Sequence, residues 1–517
     1  GPVWYVDSTN GSNITGTGSS FNAFANIGPA IRFAADGDSI NVAAGTYVEN
    51  ISFDNKGLKL VGAGAVSTII DGSSSSNTVV DMSSSESTLL SGFTIQNGTG
   101  TGNTNGWGGG IYTSGGFPIL ENLIVRNNTN VMGAGILLDG GGNSLHIVKN
   151  SLIINNQGSN MGAGIASHGT DAIISNVTFV NNSGGGLALK PLFNSGGHVL
   201  VTNSIFYNNG DNYEIDFFPN SEGTGATFDI SYSKIDSDQI NFNPFTNVDT
   251  LNWGSGNIDI DPMFVDTANG DYSLQRISHL IDGGHPDSTD LDGTRADIGA
   301  YYFDQSGLPG RVNPGTVIDS DSVTVHWTAS GNASASSYKV YRSYGSGTLD
   351  SDSNKLLDYS AATELATVSG TSYTDGTVEP DSVYYYVVSG VNASGEEGVN
   401  GDFATAQIES DTAAIETGGQ LYYGLTDDET WFHGDSSYTI EAFFRLITAS
   451  NSTADFYSLV EAGAFSAGLV SDGSGDVALK FKKNDSYLGG STDMGSFSEG
   501  SGWHHVAVVY DADGNTA

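Results

Sequence analysis

Counting from the last glycine of the clusters at 108–110, 133–135, 162–164 and 184–186, the fourth residue onward is Ser114, Asp139, His168 and Lys190 in turn. If these segments stack as neighbouring strands, about 4.8 Å apart, three ionisable groups stand in one row. Such a row holds the parts that uronic-acid chemistry uses. A cation neutralises the sugar carboxylate, a base removes the proton beside it, and histidine exchanges protons near neutrality. Asp139, His168 and Lys190 are therefore the candidate catalytic residues; the alternative for the same row is a solvated corner bearing a run of charges. Two opposed carboxylates of the glycosidase kind are missing from the repeats, and none of the common nucleophile motifs occurs.

The elements that must position this row repeat through the first half of the chain. One phrase recurs five times, as Gly92-Phe-Thr-Ile-Gln-Asn97, Asn122-Leu-Ile-Val-Arg-Asn127, Asn150-Ser-Leu-Ile-Ile-Asn155, Asn176-Val-Thr-Phe-Val-Asn181 and Asn203-Ser-Ile-Phe-Tyr-Asn208. The closing asparagines lie 30, 28, 26 and 27 positions apart, the length of one solenoid coil. Within each phrase the apolar slots alternate, as in Phe93/Ile95 and Val177/Phe179, which is strand periodicity. A second strand follows each glycine cluster and a third precedes each phrase, as in Leu145-His-Ile-Val-Lys149. Three short strands per coil, joined by Gly and Asn turns that tolerate positive φ, predict a parallel β-helix. The asparagines at 97, 127, 155, 181 and 208 are expected to stack as a ladder, each amide bonding to the coils above and below.

The pattern resembles the right-handed β-helix superfamily that includes the pectate lyases, over roughly residues 3 to 304. Ahead of the repeats, Val3-Trp-Tyr-Val-Asp7 and the helical stretch Pro29–Ala35 read as a cap over an otherwise open sheet edge. After them, Asp259–Asp266, Gly270–Leu274 and Asp292–Tyr302 are similar to the terminal coil of bacterial surface β-helix proteins that carry sorting or anchoring tails. Here Arg295 could close a cap by pairing with Asp290, Asp292 and Asp297, or those three aspartates could bind Ca²⁺, although no complete calcium loop is present. From 311 to 410, Val323–Trp327, Tyr338–Arg342 and Tyr384–Asn392 resemble a fibronectin type III domain, with Trp327 in its core and one of Tyr384–Tyr386 at a tyrosine corner. From 414 to 517, Tyr438–Arg445 and Gly502–Tyr510 resemble a laminin-G or concanavalin-like jelly roll cut short at Ala517; Trp503, His504 and His505 read as strand residues there. The expected fold class is all-β: a right-handed parallel β-helix over 1–305, a fibronectin III sandwich and a partial jelly-roll sandwich.

Composition restricts the partners. With 17 Lys and Arg against 58 Asp and Glu, the formal charge is −41, a field that repels nucleic acid and attracts cations such as Ca²⁺. The chain has no cysteine, which excludes thiol catalysis and cysteine-ligated metals. There is no apolar run long enough to span a membrane. Gly1-Pro2 fits the scar of a tag-removing protease, with a native signal peptide removed.

Two further columns emerge from the repeats. Gln96, Arg126, Ile154, Val180 and Tyr207 face outward and become increasingly apolar, so Ile154, Val180 and Tyr207 are candidate ligand-binding residues, unless the segment from Asn212 to Asn247 covers them. Glu121 and Lys149 are expected to form a cross-coil ion pair. Two functions follow. One is a secreted or bacterial cell-surface protein for adhesion or glycan binding, with a polysaccharide, a cell-surface glycan or another surface protein as partner. The other is a β-helix polysaccharide lyase or hydrolase that uses the Asp139 row against an extracellular glycan.

Overall fold

The computed structural model describes residues 1–408 apart from 102–106, 141–143, 193–195, 211–212, 219–224, 243–248, 320–321, 330–334, 346–361, 380–381 and 402, together with strand backbone between 438 and 510. One compact unit comprises Gly1–Val378 with Ser382–Gln407, and the other comprises Glu379–Asp381 with Ile408–Ala517.

Alternating apolar residues build a parallel β-solenoid with three walls. Its first wall runs through Ser39–Val42, Lys59–Gly62, Ser87–Ser91, Phe117–Glu121, the first halves of Leu145–Ile154 and Asp171–Val180, His198–Thr202, Thr227–Ser231 and Thr250–Trp253. The second uses Gly45–Val48, Thr68–Asp71, Thr94–Gln96, Ile124–Arg126, the second halves of the two long strands and Ile205–Tyr207. The third is an eight-stranded sheet from Ile51–Ser52 to Ile240–Asn241. Inward residues such as Phe93, Val125, Ile153, Phe179 and Phe206 fill the lumen, all fully buried, and the rings of Phe179 and Phe206 stack at 4.6 Å.

Asparagine turns the corners. Asn122, Asn150, Asn176 and Asn203 sit between first and second walls at φ of 49–54°, and Asn97, Asn127, Asn155, Asn181 and Asn208 follow the second wall at 54–62°. Left-handed backbone is costly for most side chains and cheap for asparagine. The second set was expected to form the ladder, but its side chains are exposed. The ladder belongs to the next residue. Asn128 N–H and Nδ2 donate to Asn156 Oδ1, Asn156 to Asn182 and Asn182 to Asn209, at 2.7–3.1 Å, all buried. Asn209 then donates to the buried Glu214 carboxylate.

At the N-terminal end, Val3–Val6 pairs with Ser39–Val42, and the helix Ile27–Phe33 packs Ile27, Ala30 and Ile31 into the core. Its free N–H groups at Ile27 and Gly28 donate to the Glu49 carboxylate. After the last coil, Phe264–Asp266 and Asp271–Leu274 form an antiparallel pair rather than a further parallel coil. The chain returns over the second wall, where Gly299 N–H donates to Asn203 O at 2.8 Å and Ala300 N–H to Thr178 Oγ1 at 2.9 Å.

Next comes a fibronectin III-like sandwich. Pro314–Asp319, Ser322–Trp327 and Ser372–Asp375 form one antiparallel sheet; Thr363–Val368, Ser337–Gly345, Ser382–Val391 and Ala404–Ile408 form the other. Trp327 lies in its core against Tyr338 at 5.5 Å, and the buried Tyr386 donates its hydroxyl to Asp375. Two arginines tie the sandwich to the solenoid's return segment. Arg276 meets Glu397 at 2.9 Å and Asn400 at 2.7 Å; Arg311 meets Asp282 at 3.0 Å and the Asn400 carbonyl at 2.8 Å. Val399 is buried among Leu280, Ile281 and Ile298. In the second unit, Tyr438–Arg445 pairs antiparallel with Trp503–Tyr510, and Phe456–Ala462, Phe465–Ser471 and Asp476–Lys483 form a meander.

Candidate functional site

The third wall brings the polar row into register. Ser114 pairs with Asp139, Asp139 with His168 and His168 with Lys190. The alternation in Ile136–Asp139 and its neighbours sends Ile136 and Leu138 inward, so Leu137 and Asp139 face out. Counting from the glycine clusters thus identifies true lateral neighbours.

Contacts within the row are specific. His168 Nδ1 lies 2.8 Å from Asp139 Oδ1, and the Tyr112 hydroxyl donates to Asp139 Oδ2 at 2.7 Å. Burial works to raise the Asp139 pKa, but the bonds from His168 and Tyr112 outweigh it and hold the carboxyl below its ordinary value. Asp139 is therefore a carboxylate, and Nδ1–H of His168 is the donor. Burial, reinforced by the Asp139 charge, pushes the Tyr112 phenol up.

The row does not open into a cleft at His168, whose side chain is only 7% exposed against 18% for Asp139. Trp107 stands edge-on to the imidazole, ring centres 5.4 Å apart. Trp107 and Tyr112 also cover Leu137, Ala166 and Met132. Lys190 is half-buried at the end of the row. A general base has to reach the proton it removes, and a histidine bonded below and roofed by indole is placed to organise its neighbours. Trp107 and Tyr112 escaped the sequence reading. The signal for Tyr112 was its place two residues before Ser114, which by strand alternation puts it on the same face.

The other candidates fare differently. Ile154 and Val180 are not exposed ligand contacts: they are 5% and 1% exposed beneath Ile260, Phe264, Leu274 and Leu280. The cover is the return segment rather than the stretch from Asn212 to Asn247, part of which, Ile215–Phe217, adds a strand to the third wall. Tyr207 is half-buried, its ring edge-on to Phe264 and 5.3 Å below the Lys234 ammonium. Glu121 and Lys149 do form the cross-coil pair, at 3.0 Å.

Asp290, Asp292 and Asp297 direct their oxygens at donors of the chain. Asp290 accepts from the Asp297 N–H, Asp292 from Thr294 and Gln305, and Asp297 from Asp282 and Phe303. Among the described residues no three His, Asp or Glu side chains are placed to hold a metal ion. Burial pushes the Asp290 carboxyl up, and that of Asp297 up to about 8. Arg295, expected to pair with them, instead donates to the Gly283 and Gly284 carbonyls and lies over the Tyr232 ring. Asp282 pairs with Arg311.

Neither a protein-family model nor a curated protein sequence matches the chain. Among solved structures it is similar to the pectate lyase Pel9A at 18% identity, over 58% of this chain and 96% of that one, with a TM-score of 0.37. It is similar to a pectin methylesterase from carrot at 15% identity, over 50% and 82%, with a TM-score of 0.31. A Fn3-like protein from Clostridium thermocellum matches at 31% identity over 19% of this chain and 90% of that one, with a TM-score of 0.15. Strand pairing, not these likenesses, defines the fold.

Proposed function

We propose that this is a non-catalytic secreted or bacterial cell-surface protein for adhesion or glycan binding, in which the solenoid is a rigid stalk and contact surface. The observation that carries this reading is the state of His168, bonded to Asp139 and roofed by Trp107. On this reading Trp107, Tyr112, Asp139 and Lys190 form a glycan-contact site. Indole and phenol rings offer flat apolar faces to a sugar, while the carboxylate and ammonium bond its hydroxyls. The segment after Ile408 would be a laminin-G-like ligand module. Ca²⁺ would enter only at the acidic loops around Asp259–Asp266 and Asp287–Asp297. Among the described residues no helix is long and apolar enough to cross a membrane.

A second reading, a polysaccharide lyase or hydrolase, draws its support from the register of Asp139, His168 and Lys190. One panel of soluble polysaccharides separates the two. Binding that weakens in Trp107→Ala, without release of unsaturated or shortened products, supports the contact site. Product release that disappears in a folded Lys190→Ala variant refutes it in favour of the enzyme.

A further inference from the structure

The outer face of the first wall carries a feature that neither reading uses. Following strand register from coil to coil, Leu89, Ile119, Ile147, Ile173 and Leu200 form one column, five aliphatic side chains in succession. Each is partly exposed, while the alternate residues Leu90, Leu120, Val148, Ile174 and Val201 fill the lumen. At about 4.8 Å per coil the column is roughly 19 Å long. On one side it is widened by Phe117, 49% exposed, and Leu145; on the other it is bordered by the Glu121–Lys149 ion pair.

Parallel sheets occur almost only with both faces covered, and the aliphatic outer residues in the middle of the other two walls are covered. Return-segment residues cover Ile154 and Val180, and Trp107 and Tyr112 cover Leu137 and Ala166. On the first wall the same aliphatic chemistry remains partly in water. An apolar stripe of this kind with a charged border is the composition of an association surface.

The border says which partner fits. A two-fold axis along the strand direction, passing midway between the coils of Ile119 and Ile147, lays the face against its own copy with the solenoid axes reversed. Ile119 then meets the partner's Ile147, Leu89 meets the partner's Ile173, and Phe117 meets the partner's Leu145. Glu121 meets the partner's Lys149, and Lys149 meets the partner's Glu121. Two ion pairs become a square of alternating charge, as an isologous contact requires. We propose that the first wall is a self-association surface that takes a second copy of this chain in this antiparallel arrangement. The face carries Lys59 and Lys149 against Glu121, Asp171 and Asp229 and so is close to neutral, and local repulsion between copies is far below what the net charge of −41 suggests.

The test is solution mass by light scattering or sedimentation on the full chain, with thermal melting to confirm that each variant folds. The native chain is expected at twice its 53.7 kDa, and Ile147→Lys at one chain mass with little change in melting temperature. Glu121→Lys places four cations at the square and Lys149→Glu four anions, so each should be monomeric. The double exchange Glu121→Lys/Lys149→Glu restores alternation and should restore the dimer. A native chain that is monomeric throughout the measurable range overturns the proposal, as does a dimer that survives Ile147→Lys or a double exchange that stays monomeric. If Ile147→Lys does not fold, the charge exchanges at the two partly exposed positions decide alone.

Discussion

Replacing Asn182 with leucine tests the buried ladder. Asn182 Oδ1 accepts from the N–H and Nδ2 of Asn156, at 3.1 and 2.9 Å, and its own Nδ2 donates to Ile153 O at 2.8 Å and Asn209 Oδ1 at 2.7 Å. Leucine leaves the Asn156 N–H and the Ile153 carbonyl without these partners, while Asn156 Nδ2 keeps Val125 O and Asn209 Oδ1 keeps the Asn182 N–H. The Asn156 N–H becomes a buried orphan, while the Ile153 carbonyl keeps its place in the strand ladder with the Val180 N–H, so the expected loss is about 1–3 kcal/mol. The neighbouring Asn181 supplies the control. Its side chain is exposed and its φ is 55°, so Asn181→Gly keeps the one property that matters there and should stay within about 0.5 kcal/mol of native. Urea unfolding followed by tryptophan fluorescence and far-UV dichroism measures both. Asn182→Leu at native stability, or Asn181→Gly losing as much as Asn182→Leu, would refute the assignment of the ladder to the second residue of each pair.

Four other outcomes are expected. Burial pushes the folded Asp297 carboxyl up to about 8, so the stability it contributes is complete below the ordinary carboxylate range, falls as pH rises out of that range and is lost by about 8; denaturation curves should show the native chain weakening between about pH 4 and 8 and Asp297→Asn weakening less there. Burial lowers the His146 pKa to about 4, so its ring should stay neutral across about pH 5–8 in an NMR titration, and the stability it contributes, complete above the ordinary histidine range, is lost progressively as pH falls from that range through about 4. Removing the Tyr112 hydroxyl in Tyr112→Phe takes away one of the bonds that lower the Asp139 pKa, and the Asp139 carboxyl should titrate higher than in the native chain by carbon-detected NMR. Calcium bound by the acidic loops would raise the melting temperature over that in chelator; equal melting in both assigns those aspartates wholly to bonds within the chain.

The solenoid was legible because its signals are local. Alternation in the repeated phrases placed Phe93, Val125 and Phe206 in the lumen, and the glycine clusters aligned Asp139 with His168 and Lys190 to the residue. The ladder was missed by one position for a chemical reason. In four of the five phrases the closing asparagine is followed by a second, as in Asn127-Asn128 and Asn181-Asn182, and asparagine suits both the left-handed corner and the stacked amide. The cover over Ile154 and Val180 was not legible, because residues 80 or more positions away provide it and no periodicity connects them. Charge proximity in sequence also misled: Arg295 lies beside three aspartates in the chain, yet the backbone turns its guanidinium toward the Gly283 and Gly284 carbonyls.

The attachment of the sandwich has a mechanical consequence. A pull applied beyond residue 408 does not reach the last coil first. It enters through Glu397 and Asn400, crosses to Arg276 and Arg311, and passes into a segment bonded at Asn203 and Thr178, several coils back along the second wall. Tension is therefore shared with the coils of Thr178 and Asn203, and the final strand does not bear it alone. A tethered chain built in this way should resist steady drag better than the same solenoid held by its final strand.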